Sequence, residues 1–330
     1  MERNRTIDFL RFVFSLMVIA VHTDFLIDIS TPIYYMFTLG IARIAVPFFF
    51  IVSGYFFRQS QLNGKSRKQY LLKLVKYYFI FITVDLLAIG YFYYNEYTSI
   101  AQFIRKYLVC GISGSYWYFP SLIISMLILI PVFRKGYTRT AIFVGLVLYL
   151  VSMTHDSYSF LFENTLIYRI TDLHTRFFFM PQAGLAESIL FLSLGAIICE
   201  NSKNIREIST RYHNVLEVLL VVLTLCLCLE AYITMSLKAF DGNCYLTLLF
   251  LPAVLFIWAL TSDPVKMNTA LIGKMSLFIY LVHPVFKSLV NLTQINSVIK
   301  TIFVTAITLP ISFLLVKITD ASRRISKFTK

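Results

Sequence analysis

Apolar runs of bilayer-crossing length recur along this chain, and they restrict it to a very small set of folds. About 20 apolar residues at ~1.5 Å rise cover the ~30 Å hydrocarbon core of a bilayer. The first run, Ile7 to Ile27, reads IDFLRFVFSLMVIAVHTDFLI and contains Arg11 and His22. In a helix these lie eleven residues apart on one face, separated by roughly 16 Å in depth. An arginine in hydrocarbon costs at least ~2.5–3.5 kcal/mol, so that face has to turn toward protein or a wet cavity. The remaining segments read as walls around it.

Of the 330 residues, 58% are hydrophobic and only 14% charged. Soluble domains are about 45–50% apolar and ~25% charged. The runs are continuous and do not alternate, which argues against a transmembrane barrel. The expectation is an all-α polytopic membrane protein with about ten spans: 7–27, 37–57, 74–94, 118–133, 139–154, 184–200, 215–235, 245–261, 270–290 and 299–318. Segments 118–133 and 139–154 are short, leaving open a merged or tilted pair. The first run is of spanning length and lacks a small-residue cleavage site, so no cleavable signal is expected.

The net charge of +13 invites a nucleic-acid reading, which the distribution rejects. Twenty-one of the thirty Lys and Arg residues lie at or beyond the segment ends on one side, and six on the other. The positive-inside rule then places both termini in the cytoplasm, with membrane lipid as the partner of the basic fringe. Residues 1–320 read as one transmembrane domain and 321–330 as a basic cytoplasmic tail. The cysteines have no zinc spacing, and no metal site is expected. Cys110 and Cys244 fall in outer loops, where a disulfide between them is one option. The connection 155–183 is long enough to be functional or to contain a short amphipathic interfacial helix.

Depth separates the polar residues inside the spans. Arg11 lies near the inner face. His22 and Arg43 lie in the outer half, and His283 in LIGKMSLFIYLVHPVF reaches mid or outer depth. Two histidines and an arginine suit proton transfer and anion handling. The plainer readings are a His contact between helices and an Arg11 that snorkels to the interface. Pro47 can kink its helix, and Ser53 and Gly54 allow close helix approach. Trp117, Tyr116 and Tyr118 fit an aromatic belt or a cavity mouth. Glu187 is placed to orient a histidine or hold an amine, with salt-bridging as the alternative. Zincin, nucleophile-elbow, Walker and dinucleotide motifs are missing from the sequence.

The ordered set resembles the integral-membrane acyltransferase family 3. It comprises Arg11 with His22, Arg43 followed by Pro47 to Tyr55, the Trp-Tyr-Phe at 117–119, and Ser276 with Tyr280 and His283. The resemblance implies an acyl group, commonly acetyl, moved from cytoplasmic acyl-CoA to a hydroxyl or amine acceptor presented outside. It implies catalytic roles for His22, Arg43 and His283, a donor site at Arg11, Ser53 and Tyr55, and an acceptor site at Trp117, Tyr118, Glu187 and Tyr280. RIAVPFFFIVSGYFF and SYWYFPSLI also resemble the membrane half of the membrane-bound serine/alanine racemases of vancomycin-resistance clusters. That likeness implies a bacterial cytoplasmic membrane, a fused cytoplasmic racemase domain after the tail, and L-serine transport as a rival function. The acceptor is then L-serine or a cell-envelope component. No PLP lysine region is present here, so racemisation by this chain is not expected.

Overall fold

The computed structural model describes residues 4–64, 67–93, 99–262 and 265–328, and within these it is helical without strands. The basic residues Arg3, Lys65 and Lys330 of the charge-asymmetry reading lie outside the described residues. The helices are α1 Arg5–His22, α2 Thr31–Ile33, α3 Ala45–Leu62, α4 Arg67–Tyr93, α5 Ile100–Cys110, α6 Tyr118–Arg134, α7 Thr138–Met153 and α8 Ser159–Phe162. They continue as α9 Leu166–Phe178, α10 Ser188–Glu200, α11 Ser202–Arg211, α12 His213–Ser236, α13 Leu251–Thr261, α14 Ala270–Asn291 and α15 Ser297–Phe328. Among the described residues, four stretches are long and apolar enough to cross a membrane: Thr31–Leu62, His213–Ser236, Ala270–Asn291 and Ser297–Ser322. Tyr118–Arg134, Thr138–Met153, Ser188–Glu200 and Thr247–Thr261 are shorter apolar helices. The chain is a membrane protein.

α1 begins where Asn4 accepts a hydrogen bond from the Ile7 amide at 2.9 Å, an N-cap that satisfies one of the unpaired first-turn donors. It ends at His22, five residues before the apolar run does. The Thr23 hydroxyl donates back to the Ile19 carbonyl at 2.9 Å, and Asp24 and Leu26 adopt left-handed φ of 51° and 75°. Backbone in that region cannot continue a right-handed helix.

The expected helix 37–57 is also broken. Residues Tyr34–Thr38 form a π-helical turn and Ile41–Ile44 a 3-10 turn before α3 starts. Pro47 lies in the first turn of α3 and has no N–H for the Arg43 carbonyl, so it separates two helical segments instead of kinking one. α6 and α7 are distinct, divided by a turn in which Gly136 takes φ 76°. The 155–183 connection contains α9, whose face Leu166, Ile170, Leu173 and Phe177 is exposed, as an interfacial helix requires.

The tightest packing is α3 against α10. A Cβ on Gly195 would lie 2.1 Å from the Ile51 carbonyl oxygen, and one on Gly54 2.1 Å from that of Leu192. Small residues let backbones meet at this range, which dispersion rewards in the absence of a hydrophobic drive between lipid-facing helices. Two readings are corrected. Cys110 and Cys244 are free thiols: Cys110 closes α5 and stays within reach of the Lys106 carbonyl, while Cys244 faces the Ser152 hydroxyl. Trp117, Tyr116 and Tyr118 are buried at the start of α6 and do not form a lipid-facing belt, because the Tyr116 hydroxyl donates to the Leu281 carbonyl at 2.8 Å and ties the segment to α14.

Candidate active site

Two cavities approach α1 from its opposite ends, and their linings share no residue. The cavity near the start of α1 has a volume of about 250 Å³. Arg11, Ser53, Tyr118, Ser276 and Tyr280 line it, joined by Tyr70, Lys73 and Tyr77. Arg11 is held by Asp8 at 3.5 Å, one helical turn away. Ser53 and Tyr118 share a hydrogen bond of 3.2 Å. The Lys73 ammonium lies 5.5 Å from the Tyr77 ring centre. Arg11 and Lys73 give this cavity two cations, the composition that binds phosphate.

The other cavity has a volume of about 640 Å³ and is lined by His22, Arg43, Trp117, Gln182 and Asn243, with Asp24, Tyr34, Tyr35 and Asp241. Its narrow inner end adds Glu187, which is only 2% exposed. His22 is half-buried, and its ring stacks on that of His283 at 5.3 Å. His283 is fully buried, with Nδ1 3.0 Å from the Ile279 carbonyl oxygen. That carbonyl requires the proton on Nδ1, which leaves Nε2 as a lone pair, and Nε2 has no partner among the described residues.

Four rings connect the cavities. Tyr118 meets Tyr280 at 5.4 Å, Tyr280 meets His283 at 5.8 Å, and His283 meets His22. From sequence, Arg11 lies near the inner face, and the two histidines and Arg43 lie above it at mid or outer depth. The structure places Arg11 in one cavity and His22 and Arg43 in the other, with this ladder between them.

Arg43 occupies the 3-10 turn between the two helical pieces, and π and 3-10 departures of this kind often occur at functional sites. Its Nη1 donates to Asn243 Oδ1, and its Nη2 lies 3.3 Å from Asp241 Oδ1. Nε is buried and has no partner among the described residues. Asn243 is fixed in turn by Asp156, which accepts from the Asn243 amide at 2.9 Å, from Asn243 Nδ2 at 3.3 Å and from the Cys244 amide. Burial first, and the Asp241 charge second, raise the Asp156 carboxyl above its usual range. Lys287 lies one turn beyond His283, 3.3 Å from the Ser113 carbonyl oxygen and 3.4 Å from Ser115 Oγ, outside both linings.

Of the residues selected from sequence, His22, Arg43, Trp117 and Glu187 therefore share one cavity, and Arg11, Ser53, Tyr118 and Tyr280 the other. His283 lies between them. Tyr55 reaches neither, and packs edge-on against Phe256 at 5.2 Å. Gln182, Asp241 and Asn243 were not foreseen. The turn residues Asp-Gly-Asn between two apolar runs were the available signal for the last two. Among the described residues, no group of three or more His, Cys, Asp or Glu is arranged to hold a metal ion.

Three bacterial relatives match the chain. An amino-acid racemase of Enterococcus faecalis is 29% identical over 216 residues, which is 61% of this chain and 29% of that protein. A serine/alanine racemase of Enterococcus gallinarum is 27% identical over 302 residues, 86% of this chain and 40% of that protein. A further amino-acid racemase of Enterococcus faecalis is 25% identical over 293 residues, 86% of this chain and 41% of that protein. The chain thus spans at most about two fifths of the length of these relatives. No solved structure matches it. The family model described as Acyltransferase domain matches residues 4–317, nearly the whole length, and the chain belongs to that acyltransferase family.

Proposed function

We propose that this protein is a membrane acyltransferase that moves an acyl group, acetyl in the simplest case, from acyl-CoA to a hydroxyl or amine acceptor across the ring ladder. The observation that supports this most is the pair of cavities, one with two cations and one with a half-buried histidine, meeting at Tyr118, Tyr280 and His283. In this reading about ten segments span a bacterial cytoplasmic membrane. Both termini and the Arg11 cavity face the cytoplasm, as the excess of Lys and Arg at that end favours.

Arg11 and Lys73 bind phosphate of the CoA. Tyr118 and Tyr280 part so that the thioester carbonyl meets His22. His22 takes the proton of the acceptor as its oxygen or nitrogen attacks the carbonyl carbon. The C–S bond then breaks, and the departing thiolate takes that proton to leave as CoA thiol. His283 supports the His22 ring, and the unpartnered Nε–H of Arg43 donates to the developing oxyanion. Trp117 and Glu187 belong to the acceptor side.

The test is acetyl-CoA binding and thiol release by the purified protein. Arg11→Ala is expected to abolish saturable binding, and His22→Ala to retain binding but release no thiol. Absence of CoA affinity in the wild type refutes the proposal. A second reading is an amino-acid uptake module, favoured by relatives that are racemases extending well beyond this match. In it a fused cytoplasmic racemase domain, where any PLP would reside, follows residues 321–330, in the setting of glycopeptide resistance. L-serine accumulation in vesicles without CoA consumption supports that reading against the first.

A further inference from the structure

We propose that the His22 cavity selects an acceptor with a cationic ammonium group beside its nucleophilic hydroxyl, an amino alcohol in chemical class. This rests on the reading of that cavity as the acceptor site.

Carboxylates outnumber cations in the lining. Asp24, Asp241 and Glu187 line the cavity with one arginine, Arg43 is already committed to Asp241 and Asn243, and Lys287 acts on Asp24 only from outside the lining. Asp24 is exposed at the mouth and is held in its left-handed conformation, φ 51°, by the Ile27 amide on its carbonyl at 3.1 Å. The Tyr34 hydroxyl donates to its Oδ1 at 3.0 Å, which leaves Oδ2 open to solvent and to a ligand. Tyr34, Tyr35 and Trp117 supply aromatic faces beside these carboxylates, and a cation over such a face gains roughly 0.5–2 kcal/mol.

An independent observation is Gln182. It is 3% exposed, it lines both the mouth and the narrow inner end, and its Oε1 has no partner among the described residues. A buried acceptor without a donor costs ~1–3 kcal/mol, so this position calls for a ligand hydrogen-bond donor, which the ammonium supplies. An anionic acceptor meets the exposed Asp24 carboxylate at the mouth, and a neutral polyol brings it no counter-charge. The ammonium keeps its protons throughout. The hydroxyl loses one to His22 as its oxygen bonds to the acyl carbon, and the thiolate leaves with that proton.

The chain contains two tryptophans, Trp117 and Trp258, so Trp258→Phe isolates the one in this cavity. Quenching of Trp117 fluorescence is titrated in the full chain in nanodiscs with ethanolamine, ethylene glycol and glycolate, three probes of similar size and different charge. Ethanolamine is expected to half-saturate at a concentration at least tenfold below either of the others, and Asp24→Asn to raise that concentration at least tenfold. Asp241→Asn serves as a second variant, expected to act in the same direction. Equal responses to the three probes, tighter binding of glycolate, or an Asp24→Asn variant that binds ethanolamine unchanged overturns the proposal. Binding needs no acyl donor, so selective ethanolamine binding without thiol release refutes acyl transfer alone.

Discussion

Arg43→Lys separates charge from geometry at the proposed oxyanion site. Lysine retains the positive charge but loses the fork that spans Asn243 Oδ1 and Asp241 Oδ1, together with the unpartnered Nε–H. A hydrogen bond to a charged group contributes ~1.5–3 kcal/mol, and one ammonium can replace only one arm of the fork. The expected loss of stability is therefore about 1–3 kcal/mol. Removing an oxyanion donor typically costs a factor of ~10²–10³ in kcat. Acetyl-CoA affinity is expected to be unchanged, because Arg43 is absent from the Arg11 cavity. Thiol release under saturating acetyl-CoA and acceptor measures the first quantity, and equilibrium binding the second. A lysine variant with kcat within threefold of wild type shows that Arg43 supplies only charge, and refutes its role as a donor.

Asp156→Ala leaves the Asn243 and Cys244 amides without an acceptor, at ~1–3 kcal/mol for each buried donor, and is expected to lower Tm and to reduce thiol release at least tenfold by freeing Asn243 from Arg43. Gly195→Val drives a side chain into the Ile51 carbonyl and is expected to cost about 1–3 kcal/mol or more by forcing α3 and α10 apart, read as a loss of Tm in detergent. Burial holds the His174 imidazole below its usual range. Its neutral form is favoured in the fold, so stability is in place above pH ~6.5 and declines as pH falls below that toward the folded value. Tm measured from pH 7 to pH 5 is expected to fall less steeply in His174→Phe than in wild type.

The fold was legible where local pattern decides it. Run length located the apolar segments, and the spacing of Arg11 and His22 assigned them one helix and different depths. That His22, Arg43 and Glu187 would turn toward one cavity was readable because polar groups in apolar runs need protein partners. The break at 34–44 was not readable, since Pro47 signals an interruption without specifying π and 3-10 turns around Gly40. The partition into two cavities depends on how Tyr118, Tyr280 and His283 stack, and they come from two helices 162 positions apart between Tyr118 and Tyr280. Asn243 was hidden for the same reason: Asp156 holds it from 87 positions away, a distance that no local periodicity encodes.

Acyl transfer between opposite faces of one membrane calls for sealed proteoliposomes of fixed orientation, with labelled acetyl-CoA confined to the Arg11 side and ethanolamine confined to the His22 side. Labelled acetyl ester appearing only in the His22-side compartment, and not with His22→Ala, is the expected result. Product that forms only when donor and acceptor share one compartment, or no product while L-serine accumulates, contradicts it.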